Sequence, residues 1–514
     1  MGSKDAEVMK EGIIMKKLMT LALAAAMMLG AATGANAIDF KAKGQWIMSF
    51  DYGMHGNFGE SKAKNNSGFG NEDEFEATQR VRLQLDAVAS EALSGTVFFE
   101  IGDQVWGDND NGGALGADGK VVELKRAYID WMVPQTDLKV RMGIQGLALP
   151  SFTTNASQII DDDVAAVTLN YQFNENVGLT AFWARPYNDN NGYKWNGTDA
   201  GYQNYMDNMD MFAVLLPLTF DGVKVTPWVM YAAMGPGMFD KWKNADFSAG
   251  NAWGRAGAGM VSGFRGTDKW DTYGNAFWAG VTGEVTYWDP FRIAWDVNYG
   301  SAAYADEKMN REGWLASLLL EYKLDWGTPG LYGWYSTGDD NNPRNGSERM
   351  PVVSANGNNQ FSNFAFNGNP YIAREGILGS TMVGTWGIGA RLKDVSFLED
   401  LKHTLRVNFM GGTNAPKMAK YVSHTSFKDP ATVARYGTSY DPMYLTTDDY
   451  ALEIGLTNTY KMYDNFTVML DAAYVALWLD DSTSTWGKNP GRSALGGDGV
   501  YDAWNVNLSF VYSF

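Results

Sequence analysis

The chain of 514 residues contains no cysteine and only three histidines, His55, His403 and His424. Disulfide staples are excluded, so an exported chain of this size must draw its stability from hydrogen-bond closure and burial. No two of the histidines stand at metal-ligand spacing, and none has a serine or carboxylate evidently placed beside it. Phosphate-cradling glycine loops are missing too, since the 58 glycines gather in turns and loops. An enzyme is therefore not expected, nor a cofactor, nor a resident metal. Positive charge is also short. Lys and Arg number 41 against 59 Asp and Glu, a net charge of −18, which makes nucleic acid a poor partner. Beyond residue 37 no apolar run reaches helical transmembrane length, which excludes a helical membrane protein.

What is present begins with a targeting segment. Met15-Lys16-Lys17 is a short positive region, Leu18 to Leu29 an apolar one, and Ala35-Asn36-Ala37 a small-x-small cleavage site. This predicts a cleaved signal peptide over 15–37, with 1–14 an over-long start and 38–514 the mature domain.

The mature part is rich in aromatics and strictly patterned. At its end Trp504, Val506, Leu508, Phe510, Tyr512 and Phe514 share one parity, and Asn505, Asn507, Ser509, Val511 and Ser513 the other. That is a strand with one greasy face and one mostly polar face. In Phe75 to Ala87 the apolar parity alternates with Glu76, Thr78, Arg80, Arg82, Gln84 and Asp86. Charges alternating with apolar residues fit a strand with lipid on one side and water on the other. The pattern recurs, giving about eighteen strands, with sixteen as the alternative. Short turns alternate with long loops rich in Gly, Asn, Asp and Ser, as an even-stranded up-and-down barrel requires. The predicted fold is an all-β transmembrane antiparallel barrel, with short periplasmic turns and long extracellular loops. Backbone groups in hydrocarbon must all be paired, so the sheet must close. A lumen of this width is too wide for side chains to fill. Aromatics near strand ends, such as Trp131, Tyr287 and Trp288 by short turns and Trp183, Tyr231 and Trp478 by long loops, predict two interfacial girdles.

The leader, the alternating strands and the terminal Phe514 resemble the homotrimeric general porins of Gram-negative outer membranes, in particular those of sulfate-reducing bacteria. The resemblance covers nearly the whole mature chain, and architecture rather than one motif carries it. It implies passive diffusion of ions and small hydrophilic solutes, a homotrimer set in outer-membrane lipid and lipopolysaccharide, and Phe514 as a barrel-closing assembly signal. It also implies that the third long loop, here 146–165, folds into the lumen. Asp161, Asp162 and Asp163 would then face Arg80, Arg82, Arg126 and Arg141 of the wall, making a transverse field that sorts ions. The same arginines could instead pair with neighbouring acids on the strands. The Asp triplet could be a solvated turn, or hold a divalent ion through oxygen. Arg292, Arg391 and Arg406 are weaker candidates for an opposite wall. Two other functions stay open: a substrate-specific porin, and a secreted all-β carbohydrate-binding protein using exposed Trp and Tyr.

Overall fold

The computed structural model describes residues 38–54, 58, 74–109, 112–116, 122–188, 208–235, 259–262, 273–355, 357–366, 368, 376–418, 443–480 and 500–514. The start at 1–14, the leader at 15–37, His55 and His424 lie outside the described residues. Among the described residues eighteen wall strands follow one another around a barrel. They are β1 (Asp39–Met54), β2 (Glu74–Ser90), β3 (Leu93–Val105), β4 (Glu123–Met132), β5 (Leu138–Ala148) and β6 (Ile160–Gln172). Next come β7 (Gly178–Asn188), β8 (Asn208–Leu215, resumed at Leu218–Phe220), β9 (Val223–Met234), β10 (Gly274–Val285), β11 (Phe291–Ala303) and β12 (Arg311–Tyr322). The last are β13 (Thr328–Ser336), β14 (Thr385–Leu398), β15 (Leu401–Gly412), β16 (Tyr450–Tyr463), β17 (Phe466–Trp478) and β18 (Ala503–Ser513). The interruption in β8 falls at Pro217, which has no N–H to give the ladder.

Every strand pairs antiparallel with its sequence neighbours, and β1 pairs with β18 from Gln45↔Ser513 to Met54↔Trp504. The sheet is closed and has no edge. Eighteen holds, and sixteen does not. The alternation is visible within single strands. On β12, Trp314, Leu318 and Leu320 are exposed, whereas Leu315, Ser317, Leu319 and Glu321 are buried inward. Around the outside Trp131, Phe173, Trp183, Tyr231, Tyr287, Trp288, Tyr335 and Trp478 are all exposed. Such a belt suits lipid and aromatic interfaces. It is the opposite of what a secreted carbohydrate-binding β protein needs, because continuous exposed apolar surface drives association in water.

The interior departs from the sequence reading in two ways. First, the loop between β5 and β6 spans only 149–159. The Asp triplet belongs to β6, in register with β5 as Gly146↔Asp163, Leu147↔Asp162 and Ala148↔Asp161. Second, the described parts of the long connection 337–384 (337–355, 357–366, 368 and 376–384) turn into the lumen rather than outward. Its residues Ser354–Ala355 form a short ribbon parallel to Ile160–Asp161. β7 pairs with β6 from Ala166↔Ala184 onward, so the first residues of β6 carry that ribbon instead. The reason is apolar burial. Val352, Val353, Phe361, Phe364 and Phe366 join one cluster with Leu149, Ile159 and the inward faces of β8 to β12, which offer Met211, Trp228, Met230, Trp278 and Leu315. Burying each large side chain is worth about 1.5–3 kcal/mol. Much of the lumen is thus filled by the chain's own inward segments.

Candidate functional site

Inside the barrel two charged walls face each other, with the two inward segments between them. On β2 to β6, inward side chains pair locally. Arg80 meets Asp103 at 2.6 Å and Arg82 meets Glu100 at 2.6 Å. Lys125 lies 3.7 Å from Glu100 and 3.4 Å from Asp163. Arg126 reaches Asp163 at 2.5 Å, and Arg141 grips Asp130 with two bonds of 2.7 and 2.8 Å. Arg141 also lies over the Tyr128 ring at 4.1 Å. Of the four arginines singled out from the sequence, only Arg126 meets the Asp triplet. The other three pair with acids on neighbouring strands, the blander of the sequence readings. Asp162 accepts from Ser354 Oγ at 2.6 Å, which ties β6 to the inner ribbon.

The opposite wall carries an alternating ladder. Lys224, Glu284, Arg292, Glu321 and Arg391 follow one another on β9, β10, β11, β12 and β14, with contacts of 2.9, 2.8, 2.8 and 2.7 Å. β13 stands between Glu321 and Arg391, but its residue at that level is Gly330, paired with both. A Cβ on Gly330 would come within 3.1 Å of Glu321 and 3.5 Å of Arg391, so the missing side chain is what lets them meet.

This wall also holds the inward segments. Arg292 Nη2 donates to the Phe152 carbonyl at 2.8 Å. Arg391 and Arg406, directly opposite each other in register, both donate to the Gln360 carbonyl, at 3.4 and 3.0 Å. Two carboxylates that the sequence reading missed complete the attachment. Asp296 on β11 accepts from Phe152 N at 3.0 Å, Thr153 N at 3.1 Å and Ser151 Oγ at 2.7 Å, with Thr153 Oγ1 and Thr282 Oγ1 also bonded to it. Glu453 on β16 accepts at Oε1 from Ser362 Oγ and the backbone N–H groups of Asn363, Phe364 and Ala365, between 2.7 and 3.0 Å. Asn408 Nδ2 donates to its other oxygen at 2.8 Å. Each acid fills a concavity of N–H donors, the arrangement by which backbone holds anions. Tyr332 stacks on Phe361 with ring centroids 4.1 Å apart. The signal for both acids was a lone carboxylate at inward parity in mid-strand, flanked by Trp295 and Val297 or by Leu452 and Ile454.

Near the long-loop end the start of the 337–384 segment carries a titrating group. Asp340 N donates to Glu348 at 2.8 Å and Asn345 Nδ2 at 2.9 Å. Burial pushes the Glu348 carboxyl up from 4.5 to about 7, and the charges of Asp340 and Asp339 add to the rise. A raised folded pKa means that the folded segment holds the proton more tightly. Its contribution is complete below about 4.5 and is lost as pH climbs through about 7. Amide exchange over 339–350, corrected for intrinsic rates, is expected to quicken between about pH 5 and 8, and Glu348→Gln to flatten the change. Identical pH profiles for parent and variant would refute this.

No protein-family model matches the chain, and no curated protein matches it. Solved structures do. OccK9 (OpdG) of Pseudomonas aeruginosa superposes with a TM-score of 0.50 at 9% identity, over 93% of this chain and 99% of that one. OpdQ of the same organism gives 0.48 at 10% identity, over 93% and 98%. OpdK, crystallised with vanillate, gives 0.47 at 9% identity, over 92% and 98%. At such identities the likeness concerns the fold alone. That fold is the closed antiparallel eighteen-strand barrel of the OprD/Occ outer-membrane porins.

Proposed function

We propose that this chain is an outer-membrane porin, a channel for ions and small hydrophilic solutes, selective rather than general in what it passes. The route runs beside β2 to β6, past Arg82, Arg126 and Arg141 and the carboxylates of Asp161, Asp162 and Asp163. One observation carries this reading. Three inward arginines on that side keep water contact, with the side chains of Arg126, Arg141 and Arg82 40%, 30% and 26% exposed against 10% for Arg80. Across the lumen Arg391 is 4% exposed and Arg406 is buried, and of the cations named on that wall only Arg292 and Lys224, next to the short turns, keep such contact. Narrowing by two attached segments instead of one favours selection over bulk diffusion, because close side chains then decide passage. Outer-membrane lipid and lipopolysaccharide surround the exposed belt. A homotrimer is proposed on the resemblance to general porins, those of sulfate-reducing bacteria among them, and Phe514 serves as the assembly signal. Catalysis has no part in this reading.

The test is single-channel recording of detergent-purified protein in planar bilayers. Small steps, often in threes, that saturate with rising solute are the expected result. Large unsaturable steps would point to a general porin. No conductance from folded, heat-modifiable protein would overturn the channel reading.

A further inference from the structure

We infer that the two inward segments form a single gating body whose two wall anchors must both release before the lumen clears. The inference rests on the channel reading above and adds a property that the reading does not contain.

The first ground is the seam between the segments. Val353 N and Ser354 N both donate to the Ile159 carbonyl, at 2.9 and 3.0 Å, and Gln360 N donates to the Thr154 carbonyl at 3.0 Å. Met382 N donates to Gln158 Oε1 at 3.0 Å. The seam joins backbone to backbone at both ends of 154–159, and the apolar side chains on its two sides belong to one buried cluster. Separating the segments would strip those groups of partners in a place with little water, which is costly.

The second ground is the placing of the anchors. Asp296 holds 151–153 from β11, whereas Glu453 holds 362–365 from β16. Neither anchor lies on a strand that leads into the segment it holds. A body fixed chiefly at two separate places, with lesser ties from Trp278 Nε1 to the Pro351 carbonyl at 2.9 Å and from Ser354 Oγ to Asp162 at 2.6 Å, and zipped in between, stays put when one fixing is lost. Two independent flaps would each swing when their own fixing is lost. Contacting groups of this kind couple strongly and do not add.

The experiment compares the parent with Asp296→Asn, Glu453→Gln and the pair together, read by bilayer recording and by hydrogen exchange over 149–159 and 351–355. With the seam intact, each single variant is expected to keep the parent's conductance within about twofold and the parent's protection. The double variant is expected to show a new large level, with an open-time gain about tenfold above the product of the singles. Deprotection of both segments should accompany it. If each single variant shows its own sublevel and exposes only its own segment, and the double merely sums them, the inference falls. Should the double variant fail to fold, Ser354→Pro and Gln360→Pro, which remove two of the seam's three backbone donors, together with Gln158→Ala, which removes the side-chain acceptor, cut the seam in the parent and in each single variant. Asp296→Asn should then expose 149–159 alone. No change on cutting the seam would overturn the inference. Exchange does not depend on conduction, so a silent but folded channel would sink the function proposed above and still decide this one.

Discussion

Arg82→Glu is expected to turn the channel's reversal potential in a salt gradient towards cations, raising cation permeability and lowering anion permeability by roughly tenfold each. Arg82 sits on β2, 26% exposed, against Glu100, with Lys125 at 3.7 Å from the same carboxylate. The three charges sum to one positive unit, and the substitution leaves one negative unit in their place. An ion passing about 6 Å from a unit charge in water feels about 0.7 kcal/mol, so a change of two units is worth about 1.4 kcal/mol, a factor of about ten. Salt at 1 M, with a screening length of about 3 Å, should shrink the effect, so the measurement belongs at low salt. Asp163→Asn is the companion. It strips Arg126 and Lys125 of their shared carboxylate and should move the potential the other way. If neither change moves the potential, or both move it in one direction, solutes do not pass along β2 to β6.

How far this site was legible in the sequence follows from what kind of signal each part emits. A strand with lipid on one face and water or protein on the other advertises itself, since parity is local. Phe75 to Ala87 and Trp504 to Phe514 fall within β2 and at β18 with their greasy residues outward. The same signal does not tell water from protein on the inner face. An inward carboxylate such as Glu453 reads as a solvated pore residue, although it is buried under a turn ninety residues away in sequence. The segment 351–366 has apolar residues but no period, so it reads as one more outward loop. Only the facing apolar walls of β8 to β12 give Phe361 and Phe366 a reason to turn in. The three aspartates misled for a different reason. Consecutive acids suggest a turn, yet Asp163 can continue the ladder because its partner is Gly146, beside which the Arg126 guanidinium lies.

Closure of the barrel should fail at a single glycine. Gly44 N donates to the Phe514 carbonyl at 2.8 Å and Phe514 N to the Gly44 carbonyl at 3.0 Å, so the last residue completes the β1–β18 seam. The Phe514 ring lies across Gly44, packed with Trp46 at 5.6 Å and Tyr512 at 5.8 Å. A Cβ at position 44 would stand 2.6 Å from the Arg82 carbonyl on β2 and strike the Phe514 ring as well. The ring could swing aside, but the ladder oxygen cannot without parting β1 from β2. Gly44→Val therefore strains one pairing of β1 and evicts the aromatic latch of the other. Overpacking costs about 1–3 kcal/mol, each lost hydrogen bond about 0.5–1.5, and each aromatic pair about as much again. Together, with two bonds and two aromatic pairs lost, these reach roughly 3–9 kcal/mol, set against a typical net stability of about 5–15. The expected outcome is a several-fold fall in the heat-modifiable, folded fraction after refolding into detergent, with export-competent but unassembled chain in cells. Phe514→Ala keeps both backbone bonds and loses only the ring, so its loss should be smaller than that of Gly44→Val. A Gly44→Val protein that folds as fully as the parent would mean that the seam does not need the ring in that position.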